Sequence, residues 1–106
     1  MRVLFDQGTP APLRRVLSKH QVKTAFECGW EKLENGALLT AAEGAGFEVF
    51  ITTDQNLRHQ QNLAQRRIAV VVLTSANWPR IRPHADLVTS ALDELVPGAF
   101  VEVPIP

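Results

Sequence analysis

Two short apolar runs in this chain stop at an aspartate. Arg2-Val3-Leu4-Phe5 leads into Asp6, and Glu48-Val49-Phe50-Ile51-Thr52-Thr53 leads into Asp54. Both runs are rich in β-branched and aromatic residues and read as buried strands, with a helical pattern between them. If the strands are parallel neighbours, both carboxylates arrive at the same carboxyl edge, where open α/β sheets bind their ligands. Neighbouring strands lie about 5 Å apart. Two ionised aspartates there repel unless a cation or a shared proton compensates, and a divalent metal is the usual cation.

Each aspartate alone has a structural explanation. Asp6 can form an Asx-turn into Gln7-Gly8, and Asp54 can cap a short helix starting near Asn56. Two at matched strand ends are harder to explain away. Thr52, Thr53, Thr74 and Ser75 collect on the same edge, although strand-end hydroxyls mostly satisfy backbone groups. Asn77 follows the fourth strand and can reach the same cleft or serve as a turn residue. The polar run Arg58 to Asn62 suits phosphates or bases, and equally a solvated helix face. Trp30 and Trp78 suit base stacking or plain burial.

The elements that must position these groups follow from the pattern. A strand over residues 2–6 precedes Gln7-Gly8-Thr9-Pro10, where Thr9 can cap a helix with Pro10 at its first position. Leu13, Val16 and Leu17 then recur at helical spacing. Val22 to Phe26 reads as a second strand, and Asn35 to Ala45 as a helix stopped by Gly46. Phe47 to Thr52 is a third strand. Ile68 to Leu73 is a fourth, apolar throughout as in a strand buried on both faces. A short polar helix is expected over Leu57 to Arg67, and a longer one over Pro83 to Leu95. Phe100 to Val103 alternates and suits a short edge strand.

Alternating strands and helices imply right-handed crossovers. The expected fold is a three-layer α/β/α arrangement of a mostly parallel four- to five-stranded sheet, with the first strand between the second and third. Asp6 and Asp54 would then flank the point where the chain reverses across the sheet.

The totals bound the function. A chain of 106 residues suits one domain, residues 1–106, with one core. Eleven basic residues balance eleven acidic ones, so any nucleic-acid binding must come from a local patch rather than a global field. Arg66-Arg67 and Arg80/Arg82 are the local basic spots. The single cysteine, Cys28, excludes an internal disulfide. No apolar run approaches the roughly 20 residues of a membrane span, and strand-like residues begin at position 2, unlike a signal peptide. A soluble, cytoplasmic protein is the expectation.

One alternative uses the same residues. A phosphoreceiver domain also ends its third strand in aspartate and its fourth in Thr or Ser, as Asp54 and Thr74 do here. It further needs an acidic pair after the first strand and a lysine after the fifth. Asp6 stands beside Gln7, and Phe100 to Pro106 contains no lysine.

Leu4-Phe5-Asp6, the helix opening at Asn35-Gly36-Ala37-Leu38-Leu39, and Val49-Phe50-Ile51-Thr52-Thr53-Asp54-Gln55-Asn56-Leu57 together resemble the small PIN-like nuclease family. The likeness extends over about residues 1–95 and takes in Gln60-Gln61-Asn62-Leu63. Such proteins are related to the VapC-type ribonuclease toxins of bacterial toxin–antitoxin modules. The resemblance implies a metal-dependent endoribonuclease in which Asp6 and Asp54 hold Mg²⁺ or Mn²⁺. Where the family commonly carries an acid at the start of the second helix, this chain has Asn35, preceded by Glu34. Glu34 or Asn35 would complete the catalytic set, with Thr53, Arg58, Thr74 and Asn77 as substrate contacts. The implied partners are an RNA substrate and a small antitoxin protein, with no membrane; a homodimer is compatible. The runner-up is a catalytically degenerate PIN-like module that binds RNA or a protein.

Overall fold

A computed structural model describes residues 1–60 and 62–106. The chain runs β1 (Arg2–Phe5), α1 (Leu13–Val16), β2 (Gln21–Thr24), α2 (Asn35–Gly44), β3 (Val49–Thr52), α3 (Leu57–Gln60), β4 (Ala69–Leu73), α4 (Trp78–Ile81), a 3₁₀ turn (Arg82–His84), α5 (Ala85–Asp93) and β5 (Phe100–Val103). The five strands form one sheet in the order β2-β1-β3-β4-β5. Every pairing is parallel, including that of β5. The first strand lies between the second and third, as the crossover argument expects.

Strand pleating sends alternate residues to opposite faces. Val3, Phe5, Val49, Ile51, Val71, Leu73 and Val103 meet Leu13 and Leu17 from the α1 segment, Ile81 of α4, and Val88 and Leu92 of α5. Leu4, Phe50, Val70 and Val72 meet Leu38, Leu39 and Ala42 of α2, together with Leu57 of α3. The sheet is therefore covered on both faces, consistent with three layers. Every residue of β3 and β4 is buried, so these strands carry no polar alternation. Burying one such Leu, Ile, Val or Phe side chain contributes about 1.5–3 kcal/mol.

Three helices differ from the sequence expectation. Thr9 does not cap a helix at Pro10; α1 begins at Leu13, with Pro12 as its cap residue. The preceding stretch forms tighter turns instead, with Leu13 N–H donating to the Pro10 carbonyl at 3.1 Å and Arg14 N–H to the Ala11 carbonyl at 3.1 Å. The helix expected over Leu57 to Arg67 is described only over Leu57–Gln60, and residues 62–67 are not helical, with Leu63 packed on the α2-side core from an irregular segment. Gln61, within that expected helix, lies outside the described residues. The long helix expected from Pro83 is preceded by its own turn at Trp78–Ile81 and a 3₁₀ segment at Arg82–His84, and its regular part is Ala85–Asp93.

Glu43 on α2 ties that helix to the segment entering β4. It accepts from Arg66 Nη1 at 2.6 Å and from the Arg67 backbone N–H at 2.9 Å. Burial pushes its carboxyl up, but the Arg66 hydrogen bond and the Arg67 and Ile68 amides outweigh that and hold it below the ordinary 4.5. A depressed folded-state value gives stability that is present above the unfolded value and lost as pH falls through the folded one. Melting temperature followed from pH 7 downward should therefore separate wild type from Glu43→Gln at neutral pH. The gap should close as the solution becomes more acid than the ordinary carboxylate range.

Candidate functional site

The site is built where β1 and β3 end. The register pairs Phe5 with Ile51, and the Asp6 N–H donates to the Ile51 carbonyl at 3.2 Å. Asp6 therefore stands beside Thr52. Leu4 and Phe50 face α2, and two-residue pleating carries Asp6 and Thr52 to that same side. The Thr52 hydroxyl, fully buried, donates to Asp6 Oδ2 and accepts from the Asp54 N–H at 3.0 Å. One side chain thus joins the two candidate aspartates.

Each carboxylate oxygen has a donor. Asp6 Oδ1 accepts from the Thr9 hydroxyl at 2.6 Å, whose single proton also faces the Ile51 carbonyl at 2.9 Å. Asp54 Oδ2 accepts from Asn35 Nδ2 at 2.9 Å, and Asp54 Oδ1 from the Asn56 backbone N–H at 2.9 Å. The last contact is the Asx-turn that introduces α3. The repulsion anticipated between the aspartates is thus opposed by protein hydrogen-bond donors. Among the described residues, no group of three or more His, Cys, Asp or Glu gathers in one place.

Gly8 brings the β1–α1 turn against β3. A Cβ there would lie 2.8 Å from the Thr53 hydroxyl and 3.8 Å from Asp6 Oδ1, so this position keeps the turn close to both. Asn35 is the first residue of α2, and Glu34 before it is exposed and makes no capping hydrogen bond through its side chain.

The remaining expected contacts separate into two groups. Thr53 is half-buried next to Gly8, and exposed Asn77 follows Ala76, which lines the cleft at Asp6. Arg58 instead lies over the Phe100 ring, 5.1 Å from its centroid. The Thr74 hydroxyl accepts from the Ile105 N–H at 2.8 Å and fastens the end of the chain to β4. Arg58 and Thr74 thus each have a partner within the chain.

A cleft of about 690 Å³ opens on Asp6, lined also by Gln7, Gly8, Thr9, Thr24, Phe26, Glu31 and Ala76. Asp54 is half-buried and does not line it. A more apolar cavity of about 350 Å³, lined by Phe47, Val49, Ile68 and Val96, lies at the opposite, amino edge of the sheet.

Two contributors escape sequence reasoning. Thr9 reads as a helix cap, yet its spacing three residues after Asp6 is the signal of a turn that folds back. The Thr9 N–H donates to the Asp6 carbonyl at 3.3 Å, which closes that turn. Phe26 reads as the end of a strand, but β2 stops at Thr24 and leaves the ring 72% exposed. The turn beneath it is tightly tied. Glu27 Oε1 accepts from the Thr24 N–H at 2.9 Å and from Arg14, and the Arg14 hydrogen bond holds the Glu27 carboxyl down to about 2.

No protein-family model matches the sequence, and comparison with curated proteins and with solved structures finds no match.

If Thr52 links the aspartates, Thr52→Val should strand the Asp54 N–H and one Asp6 oxygen while keeping the side-chain volume. Urea unfolding should show a loss of about 1–3 kcal/mol. Combined with Asp6→Ala, the losses should be less than additive, because both remove the same hydrogen bond. Full additivity would show that Thr52 and Asp6 act independently.

Proposed function

We propose that this chain is a metal-dependent endoribonuclease of the PIN-like class, the cytoplasmic toxin component of a bacterial toxin–antitoxin module. The observation that carries this reading is the joining of Asp6 and Asp54 through Thr52 at the carboxyl edge of a parallel sheet. Open α/β folds bind ligands at that edge.

The donor set suits Mg²⁺ or Mn²⁺. Two carboxylates, an asparagine amide and threonine hydroxyls are hard oxygen donors, and each carboxylate oxygen has lone-pair capacity beyond one hydrogen bond. Magnesium is commonly held by one or two carboxylates, with waters and substrate phosphate filling its shell. Asp6 and Asp54 would hold the ion, with Asn35 or Glu34 completing the set. When bound, it supplies activation of a water and neutralisation of charge on the scissile phosphate. The chain's own residues orient the carboxylates: Thr9 and Thr52 fix Asp6, while Asn35 and the Asn56 amide fix Asp54. Thr53 and Asn77 remain as the substrate contacts.

Purified protein should cut RNA with Mn²⁺ or Mg²⁺ and stop with EDTA. Asp54→Asn should lower the rate by several orders of magnitude, as expected when a metal-held charge is lost. Expressed alone, wild type should slow growth and Asp6→Asn should not, and a small antitoxin protein from an adjacent gene should co-purify. Equal growth with no partner would remove the toxin assignment.

One observation favours the degenerate module as a second reading. Asn35 stands where the family commonly has an acid, and it occupies Asp54 Oδ2 with an amide donor. Metal-replete wild type that binds RNA without cutting, with cutting gained in Asn35→Asp, would establish that reading.

A further inference from the structure

We propose that the apolar cavity at the amino edge of the sheet binds a small amphipathic carboxylate, with its hydrocarbon chain inside and its head group on Arg67. The cavity lies at the opposite edge from Asp6 and Asp54, and the proposal does not rest on the nuclease reading.

The cavity follows from how the chain enters and leaves the strands. Val49 and Ala69 pair across the starts of β3 and β4. Phe47 and Ile68 precede them, and Leu95 and Val96 follow the end of α5. These apolar side chains line a space of about 350 Å³, at the small end of ligand pockets, which reach about 1,000 Å³. The first four are buried, so water meets mainly the wall, where Leu95 is half-buried and Val96 is 62% exposed. Covering that wall with a hydrocarbon chain is favourable in proportion to the apolar area removed from water.

Main-chain hydrogen bonds hold the rim. The Phe47 N–H donates to the Ala42 carbonyl at 3.0 Å, Ala69 N–H to Glu48 at 2.9 Å and Gly98 N–H to Arg67 at 2.8 Å. Gly46 and Gly98, at φ 85° and 76°, make the turns on either side. The cavity is formed before a ligand arrives, so little ordering opposes binding.

The head group follows from the charges. Two carboxylates line the cavity, and both are engaged. Glu43 accepts from Arg66 Nη1 at 2.6 Å and from the Arg67 amide at 2.9 Å. Glu48 Oε1 accepts from the Arg2 amide at 3.2 Å. The Arg2 guanidinium donates to the Ala45 carbonyl and lies 4.5 Å from the centroid of the Phe47 ring. Arg67 also lines the cavity, and among the described residues its guanidinium has no ion-pair partner. A guanidinium grips a carboxylate through two parallel N–H donors. Its single charge matches that of one carboxylate, whereas a phosphate dianion would also meet the repulsion of Glu43 and Glu48.

Calorimetric titration of the metal-free full chain at pH 7 with octanoate, octanol and octylammonium tests this. Octanoate should bind one molecule per chain, more weakly as salt is raised, because the head-group pair is exposed. Octanol and octylammonium should each bind about 5-fold more weakly, the scale of one exposed ion pair. Arg67→Gln should lower octanoate affinity to that of octanol and leave octanol binding unchanged. Val96→Ser should weaken both. Melting temperature should hold in the two variants, since both side chains are exposed. In isotope-labelled protein, amide shifts caused by octanoate should centre on Val49, Ala69 and Val96. No binding of octanoate at millimolar concentration, equal binding of octanol, unchanged octanoate affinity in Arg67→Gln, or shifts centred on the Asp6 cleft would each overturn the proposal. So would sedimentation showing a dimer that Val96→Ser dissociates, because a second copy would then cover this face. None of these readouts involves RNA or a metal, so this proposal and the nuclease reading fail separately.

Discussion

The Thr52 hydroxyl is the contact on which the geometry of the edge depends. It is buried between two strand ends, takes the Asp54 amide on one side and gives its proton to Asp6 on the other. A hydroxyl can do both at once, whereas a valine of the same shape can do neither. The bridge forms only because β1 and β3 are adjacent and in register, Phe5 opposite Ile51. Thr9 from the following turn and Asn35 from the start of α2 then close on the remaining carboxylate oxygens. The pair of carboxylates is thus held by segments that meet only once both faces of the sheet are covered.

That cover is provided unequally. On one face the α1 segment, α4 and α5 lie over β1, β3, β4 and β5 through aliphatic side chains. On the other, α2 and the single turn of α3 lie over Leu4, Phe50, Val70 and Val72. The site is on the α2 side, so the helix that seals that half of the core also delivers Asn35 to Asp54. Anything that shifts α2 shifts the site. The Glu43–Arg66 pair, which holds α2 to the approach to β4, is therefore a remote support for the same geometry.

Charge bounds what this edge can attract. A chain of zero formal charge has no long-range pull on nucleic acid, and the cleft beside Asp6 adds carboxylates rather than cations. Among the described residues, no helix is long and apolar enough to cross a membrane.

The hydrophobic pattern alone determined much of the architecture. Continuous apolar runs at residues 3–5, 49–51 and 69–73 are the pattern of strands buried on both faces, which points to parallel strands with helical crossovers and puts Asp6 and Asp54 at strand ends. Asn35 at the start of α2 was legible too, because Leu38, Leu39 and Ala42 mark that helix clearly. The helix limits around Pro10, Pro12 and Gln60 were not. Tertiary packing decides them against local propensity. Nor could the sequence show that Thr9 answers Asp6 instead of capping a helix, that Arg58 settles on Phe100, that Thr74 binds the end of the chain, or that Phe26 is left in water. Those outcomes are choices of partner among residues far apart in the chain, and a hydroxyl, guanidinium or ring selects its partner only after the fold has brought the candidates within reach.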